Sequence, residues 1–288
     1  MKNKILILGA SGLIGRYLFK FLKEKKKDVI GTYCNHAFEG GVYFNVLESS
    51  LDNLNLEEVG YVIICSAIAK IDKCSNEEAK KININGLKRI IKEFSERKII
   101  PVFISGSVVF NGNGNYAEED LRNPVNRYGF QKKEVEDFIF NEIDKYLIIR
   151  LGKIFGIEKG EGYFSELYER YLNNEDIRCA EDDKLSLTCA EDIAKAISWL
   201  MDNESKGIYH IDSGIVKNRY DFAKEFFDFL GIDVEIKKCL LDDFKFSEPR
   251  AKNQFLDSSK FVRESEFEFK DLEKSFKEIK LRISSLHC

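Results

Sequence analysis

The stretch from Lys4 to Arg16, KILILGASGLIGR, places an apolar run directly before a group of three glycines. The run indicates a buried β-strand, and LIGRYLFKFLKEKKK after it has the periodicity of an amphipathic helix. Glycines at such a turn are typical of a dinucleotide-binding fingerprint, since they allow the tight turn, the approach of a pyrophosphate and close helix packing. The free N–H groups of the helix N-terminus then favour an anion. The residues expected to bind a cofactor here are Gly9, Ser11, Gly12, Leu13, Ile14 and Gly15.

The alternation of strand and helix continues through the first half of the chain. YVIICSA, KIIPVFIS and YLIIRLG are continuous apolar runs, and helical patterns separate them. Such runs predict an α/β protein with a doubly wound parallel sheet, a Rossmann fold, covered on both faces. After about Gly156 helices dominate, which predicts a smaller mixed α/β lobe at the C-terminal side. We expect a dinucleotide-binding domain of residues 1–156 plus about 185–216, and a substrate-binding lobe of about 157–184 plus 217–288.

Composition excludes several classes of protein. The 288 residues include 45 basic and 49 acidic side chains, so the formal charge of -4 argues against a nucleic-acid binder. No apolar run approaches the length of a membrane span, so we expect no membrane partner. The 7 cysteines have no C-x-x-C spacing and the 3 histidines are scattered, so neither a disulfide framework nor a metal site is expected. Reduced thiols and a cytoplasmic location are the corresponding expectation.

The segment NRYGFQKKEVEDF places Tyr128 four residues before Lys132, and on a helix this spacing puts both side chains on one face. The segment YDFAK places Tyr220 and Lys224 at the same spacing. Spacing alone therefore cannot identify a proton-donating pair.

The G-x-x-G-x-x-G loop together with NRYGFQK resembles the extended branch of the short-chain dehydrogenase/reductase superfamily. In that superfamily a Tyr-x-x-x-Lys pair lies on the helix after the fifth strand, the place that Tyr128 and Lys132 occupy. The resemblance implies that Tyr128 donates a proton, and that Lys132 lowers the pKa of Tyr128 and holds the nicotinamide ribose. Both residues would thus be catalytic and cofactor-binding, whereas Tyr220 and Lys224 would be structural.

Further segments are similar to the dTDP-4-dehydrorhamnose reductase family, in the same order along nearly the whole chain. They are AIAKIDKCSNEEAKKININGLKRI, ISGSVVFNGNGNYAEEDLRNPVNRYGFQK, GIYHIDSGIVKNRYDFAKE and PRAKNQFLD. The resemblance implies an NAD(P)-dependent oxidoreductase that reduces the 4-keto group of a nucleotide-activated deoxysugar. It places Arg250 at the substrate, and Asn45, Val46 and Ala67 at the cofactor. A homodimer stays open as the quaternary structure.

One position departs from this family. The family has a catalytic Ser or Thr four residues before the aromatic of a Val-Phe or Val-Tyr pair, and here that position is Gly106. Ser105 and Ser107 flank it, but neighbours on a strand point to opposite faces, so neither simply replaces the hydroxyl. If the strand ends before Ser107, the Ser107 side chain can turn inward. Ser107 is therefore our candidate for catalysis and substrate binding. Two alternatives stay open: a non-catalytic NADP-binding regulatory subunit of a partner enzyme, and a sugar-nucleotide epimerase or dehydratase.

The end of the second strand bears on the choice of cofactor. A carboxylate there would bind the ribose 2′-OH and favour NAD. GTYCNH, residues 31–36, has neither a carboxylate nor an arginine, and Asn35 falls where the acid is expected. The sequence therefore favours NADP, with the Thr32 or Tyr33 hydroxyl available to a 2′-phosphate, while NAD remains open.

Overall fold

The computed structural model describes residues 4–158 and 160–284, so Cys288 lies outside the described residues. The strands are β1 (Lys4–Leu8), β2 (Val29–Tyr33), β3 (Val42–Tyr43), β4 (Val59–Ile64), β5 (Ile100–Gly106), β6 (Leu147–Leu151), β7 (Lys153–Phe155), β8 (Ile177–Ala180), β9 (Lys184–Cys189), β10 (Gly207–Ile211), β11 (Val216–Asn218), β12 (Ile236–Cys239) and β13 (Asn253–Gln254).

The helices alternate with these strands. They are α1 (Leu13–Glu24), α2 (Glu77–Lys80), α3 (Leu87–Glu96), α4 (Arg127–Glu142), α5 (Tyr163–Leu172), α6 (Ala190–Asp202), α7 (Arg219–Leu230), α8 (Ser259–Ser265) and α9 (Leu272–Ser284). A π-helical segment, Lys81–Gly86, joins α2 to α3. Within the described ranges, no helix is both long enough and apolar enough to cross a membrane.

A seven-stranded sheet in the order β10-β6-β5-β4-β1-β2-β3 forms the centre of the protein, and all of its pairings are parallel. Its inner strands are the continuous apolar runs of the sequence, because side chains on both faces of such a sheet are buried. Ile5 and Ile7 of β1 pack with α1 and α6, while Leu6 and Leu8 pack with the α3 and α4 side. The predicted fold class, a doubly wound parallel sheet, is confirmed.

A second hydrophobic core lies beyond the sheet. Phe164 of α5, Phe222 and Phe226 of α7 and Phe276 of α9 pack there against β8. We call α5, α7, α9, β8 and β12 the second lobe. A smaller sheet has the order β11-β9-β13, with β7 also paired to β9.

Strand β3 is short and covers only Val42–Tyr43. The reason lies at Asn45, whose carbonyl accepts the N–H of Ser49 at 2.9 Å and whose Oδ1 accepts the N–H of Leu47 at 2.9 Å. These bonds form a turn, and the turn ends the strand.

Candidate functional site

A cleft of about 370 Å³ opens at the carboxyl ends of the central strands. Parallel α/β sheets bind ligands outside this edge. One wall comes from the sheet and its helices and includes Ile14, Ala67, Gly106, Ser107, Tyr128 and Lys132. The opposite wall comes from the later part of the chain and includes Lys153, Arg219, Arg250 and Gln254. The structure thus brings together residues that are far apart in sequence.

The glycine loop joins β1 to α1 beside this cleft. Gly9 has a φ of +81°, a conformation that L side chains rarely adopt. A Cβ at Gly15 would lie 2.3 Å from the carbonyl oxygen of Gly9, so this glycine allows the helix to pack on the loop. Among the described residues, a Cβ at Gly12 would meet only the Gly9 oxygen, at 3.5 Å, and would otherwise project into open space.

The N-terminus of α1 fits an anionic group. Gly12 is its N-cap, and no side chain within residues 4–158 and 160–284 caps it by a hydrogen bond. The first N–H groups of the helix are therefore available, and the helix dipole favours negative charge at this end. The open space at Gly12 and these donors together fit the pyrophosphate of a dinucleotide.

The Thr32 hydroxyl is not available to a ribose 2′-phosphate, contrary to the expectation from sequence. Its side chain is buried, and its Oγ1 accepts the N–H of Gly9 at 3.2 Å. The hydroxyl therefore supports the glycine loop from below and is not presented to a ribose phosphate. Asn35 is exposed just beyond the end of β2. The side chain of Asn45 is engaged in the turn after β3, where its Nδ2 also donates to Glu48 at 3.2 Å, and Val46 is buried beside it.

Helix α4 carries Tyr128 and Lys132 into the cleft. Asn126 caps the helix, since its Oδ1 accepts the N–H of Gly129 at 3.0 Å. The Nζ of Lys132 donates to the carbonyl of Ile104 in β5 at 2.7 Å and lies 5.6 Å from the centroid of the Tyr128 ring. Within the described part of the chain, the Tyr128 hydroxyl has no hydrogen-bond partner.

Burial sets the protonation of both groups. It raises the pKa of Tyr128 above its ordinary value, and it lowers the pKa of Lys132 to about 8. The superfamily resemblance implies that the lysine lowers the pKa of the tyrosine. In this protein burial has the larger effect, because the charged form of either residue loses hydration. Tyr128 therefore keeps its proton at neutral pH, which is the state that a proton donor needs.

The three residues at the end of β5 have different environments. Ser105 is buried, and its hydroxyl donates to Glu136 of α4 at 2.5 Å. Gly106 is the last residue of the strand, and Ser107 begins a 3₁₀ turn, Ser107–Val109. Ser107 lines the same cleft as Tyr128, as do Ser105 and Gly106. Among the described residues, nothing forms a hydrogen bond with the Ser107 hydroxyl.

The second tyrosine–lysine pair lies elsewhere. Lys224 forms an ion pair with Asp228 at 3.1 Å on the exposed face of α7. The ring of Tyr220 packs at the edge of the second-lobe core, with the Nζ of Lys238 4.7 Å from its centroid. Neither residue lines the cleft between the sheet and Arg250. Their equal spacing is therefore a coincidence of helix periodicity.

The sequence singled out only Arg250 among the cations of the opposite wall. Lys153 begins β7, and Arg219 begins α7, where its Nε contacts Asp183 at 2.5 Å. The Nη2 of Arg250 contacts Asp72 at 2.5 Å. Only one signal pointed to Lys153, namely its position just after the carboxyl end of an apolar strand. Nothing in the sequence places Arg219 near the other two.

Comparison with known proteins identifies proteins similar to this chain in sequence and in structure. The "Methionine adenosyltransferase 2 subunit beta" of Xenopus tropicalis is 26% identical over 274 residues, covering 91% of this chain and 82% of that protein. A structure described as a hypothetical dTDP-4-dehydrorhamnose reductase from Sulfolobus tokodaii superposes with a TM-score of 0.84 at 28% identity, covering 96% of this chain and 98% of the other.

A second structure shows the same fold at lower identity. It is dTDP-4-dehydrorhamnose reductase from Bacillus anthracis in complex with NADP, with a TM-score of 0.85 and 21% identity, covering 98% of this chain and 99% of the other. The sequence model of the family described as "RmlD substrate binding domain" matches residues 2–284. That match spans nearly the whole chain and confirms the resemblance drawn from its motifs. The chain belongs to the RmlD substrate binding domain family.

Proposed function

We propose that this protein is an NADPH-dependent reductase of the 4-keto group of a nucleotide-activated deoxysugar. One arrangement carries this function: the Tyr128 hydroxyl, the Lys132 ammonium and the Ser107 hydroxyl line one wall of a cleft whose other wall holds Lys153, Arg219 and Arg250. The first wall can protonate a carbonyl oxygen. The second wall can hold the anionic part of the same molecule.

Tyr128 acts as the proton donor. Its raised pKa keeps the phenol protonated, and its hydroxyl is free of other partners in the described chain. General acid assistance of this kind typically contributes roughly 10²–10⁴-fold to the rate. The Ser107 hydroxyl donates a second hydrogen bond to the same oxygen as negative charge develops on it. Lys132, held by Ile104, supplies a positive charge near the phenolate that remains.

NADPH, when bound, supplies the hydride. Gly12 and the N-terminus of α1 would hold its pyrophosphate, with Gly9, Ser11, Leu13, Ile14 and Gly15 shaping the loop. The end of β2 lacks a carboxylate, so Asn35 does not repel a ribose 2′-phosphate. The Bacillus anthracis structure of the same fold in complex with NADP supports this choice, although NAD chemistry would use the same loop.

The cationic wall supports a diphosphate-linked substrate. A second pocket of about 320 Å³ shares Lys153, Arg219 and Arg250 with the cleft. Its lining includes Phe244 and Phe246, whose rings stack with centroids 5.8 Å apart. A keto sugar in the cleft, a diphosphate at the shared cations and a base in the second pocket match these three environments.

The direct test is mass spectrometry of the protein with NADPH and a panel of dTDP-, UDP-, GDP- and CDP-linked 4-keto sugars. We expect one nucleotide series to give a product heavier by a hydride and a proton, with consumption of NADPH. If NADPH binds but no 4-keto sugar is reduced, the reductase function is wrong. If oxidised cofactor is retained through purification and recycled, an epimerase or dehydratase is the better assignment.

A regulatory role is the second candidate. It is favoured by the similarity to methionine adenosyltransferase 2 subunit beta, together with a glycine at the position where reductases have a hydroxyl. A regulatory subunit would bind NADPH without turnover and would change the activity or the stability of a partner enzyme. Binding of NADPH without reduction of any sugar in the panel would favour it.

A further inference from the structure

Residues 247–250, which we call the clasp, connect the chain beyond β12 to the sheet wall of the cleft. The backbone N–H and the hydroxyl of Ser247 both donate to Oδ1 of Asp72, at 3.1 and 2.7 Å. At the other end of the clasp, Nη2 of Arg250 donates to Oδ2 of Asp72 at 2.5 Å. One carboxylate on the loop after β4 therefore holds both ends of the clasp.

The clasp also contacts the start of the helix that carries Tyr128. Oε2 of Glu248 accepts the backbone N–H of Arg127 at 3.1 Å, and the carbonyl of Pro249 accepts Nδ2 of Asn126 at 3.1 Å. Asn126 is also the N-cap of α4. The first turn of α4 is thus hydrogen-bonded to the same four residues that Asp72 holds in place.

Arg250 is fixed on three sides. Besides Asp72, its Nη1 donates to the carbonyl of Glu248 at 2.9 Å, and its guanidinium lies 4.4 Å from the centroid of the Phe246 ring. A guanidinium has five N–H donors, and these contacts leave several of them for a ligand in the cleft that Arg250 lines. Arginine matches the geometry of phosphate oxygens when its orientation is fixed in advance.

We propose that Asp72 is a positioning residue, which orients Arg250 toward the anionic part of the substrate and ties that contact, through the clasp, to the helix of Tyr128. The inference rests on the proposed function, because it takes the ligand to be a nucleoside diphosphate group. Asp72 acts through Arg250 and does not touch the substrate. Its hydrogen bonds from Ser247 and the charge of Arg250 hold the pKa of Asp72 below its ordinary value, so the carboxylate stays ionised near neutral pH.

A purely structural role for Asp72 predicts that its removal weakens the fold at least as much as it weakens ligand binding. The carboxylate of Asp72 is about half exposed, with 46% of its side-chain surface accessible, and ion pairs of this kind add little to stability. We therefore expect its removal to weaken ligand binding much more than it weakens the fold. Asp52 offers a matched control, since it is an exposed aspartate that bridges to Arg97 at 2.8 Å and does not line the cleft.

The test is calorimetric binding of dTDP, UDP, GDP and CDP, and separately of NADPH, to the wild type and five variants. We expect Asp72→Ala to weaken the preferred nucleoside diphosphate by about tenfold, within the range measured between contacting residues, and to leave NADPH within about twofold. Asp72→Glu should recover most of that loss, because it restores a carboxylate. Asp52→Ala should bind both ligands as the wild type does, and its thermal unfolding should resemble that of Asp72→Ala.

The decisive comparison uses Arg250→Ala. If Asp72 acts through Arg250, then Asp72→Ala causes no further loss when it is added to Arg250→Ala, whereas independent roles would add. An additive pair of losses, or unchanged diphosphate binding by Asp72→Ala, overturns the inference and leaves the proposed function intact. A wild type that binds NADPH but none of the four diphosphates overturns both, so the two failures are distinguishable.

Discussion

Ser105 donates a 2.5 Å hydrogen bond to Oε1 of Glu136, and this bond distinguishes it from Ser107 two residues later. Glu136 is buried and also contacts Arg150 at 2.8 Å and Arg122 at 3.0 Å. Ser105 is thus part of a buried ionic network that joins β5, β6 and α4. Both serines line the cleft, but only the Ser107 hydroxyl is without a hydrogen-bond partner among the described residues, so Ser107 is the serine available to a substrate.

We therefore expect replacement of Ser107 to lower kcat and replacement of Ser105 to lower stability. Ser107→Ala should lower kcat by roughly 10²–10³, the usual cost of losing one donor to a developing oxyanion, with little change in unfolding. Ser105→Ala should lower the free energy of unfolding by about 1–3 kcal/mol, because a buried carboxylate loses a partner, with a small change in kcat. Steady-state kinetics and denaturant unfolding of both variants check this. Equal kinetic losses would contradict the assignment of Ser107.

Gly106→Thr tests whether a family hydroxyl can be restored. The φ of Gly106 is -168°, which any residue adopts, and a Cβ there would lie 3.2 Å from the carbonyl oxygen of Leu151. A small shift accommodates it, at about 1 kcal/mol of stability. Added to Ser107→Ala, Gly106→Thr should raise the rate at least tenfold above that of Ser107→Ala alone. Such a donor is worth ~2.7–4 kcal/mol. No recovery in the double variant, measured by initial rates, would place the missing hydroxyl elsewhere.

Tyr128→Phe removes the proton donor and keeps the ring. Reduction should fall by roughly 10²–10⁴, the contribution of general acid assistance. Tyr220→Phe is the matched control with the same spacing to a lysine, and it should change the rate by no more than about twofold. NADPH oxidation with a 4-keto sugar substrate measures both. Similar rates for the two variants would contradict the role given to Tyr128.

The glycine loop offers a pair of variants with opposite outcomes. Gly12→Val places a side chain where the pyrophosphate is expected, so NADPH affinity should fall at least about tenfold while the fold is retained. Gly15→Ala forces a Cβ against the Gly9 carbonyl, so it should lower the thermal unfolding temperature. Calorimetry with NADPH and thermal scans separate the two effects. Unchanged NADPH binding by Gly12→Val would refute the fingerprint.

The pKa of Lys132, about 8, predicts a pH dependence. Below that pH the lysine is charged and can stabilise a Tyr128 phenolate; above it the charge is lost. The value of kcat/KM for NADPH should therefore be constant on the acid side and should fall up to about tenfold per pH unit above pH 8. Lys132→Arg keeps its charge across this range, so any activity it retains should not show that fall. A wild-type profile that stays flat through alkaline pH would contradict the prediction.

Much of the fold could be predicted from the sequence because it rests on local patterns. Each of the predicted elements is one short continuous segment, recognised by an apolar run in β1, β4, β5 and β6 and by helical periodicity in α1 and α4. Short strands such as β8, β9 and β13 were not predicted, since their pairing depends on distant segments and not on their own composition.

The site, like the fold, has a part that follows from local sequence motifs and a part that depends on tertiary structure. The glycine loop and the Tyr128–Lys132 pair are local motifs, so the sequence could place them together on the basis of family resemblance. The network of Ser105 and Arg150 could not be predicted, because an arginine inside an apolar run has no partner visible in sequence. The cations of the opposite wall come from three separate segments, and only tertiary structure brings Lys153 and Arg219 beside Arg250.

The position of β10 has a consequence for biosynthesis. It pairs with β6 at the edge of the central sheet, yet everything from β7 to α6 is translated between these two strands. A nascent chain that has just released β6 therefore exposes an unpaired edge, and the sheet face that α6 later covers is still open. Exposed strand edges promote misassociation. In the interval between the synthesis of β6 and β10, the growing polypeptide thus exposes surface that is prone to aggregation.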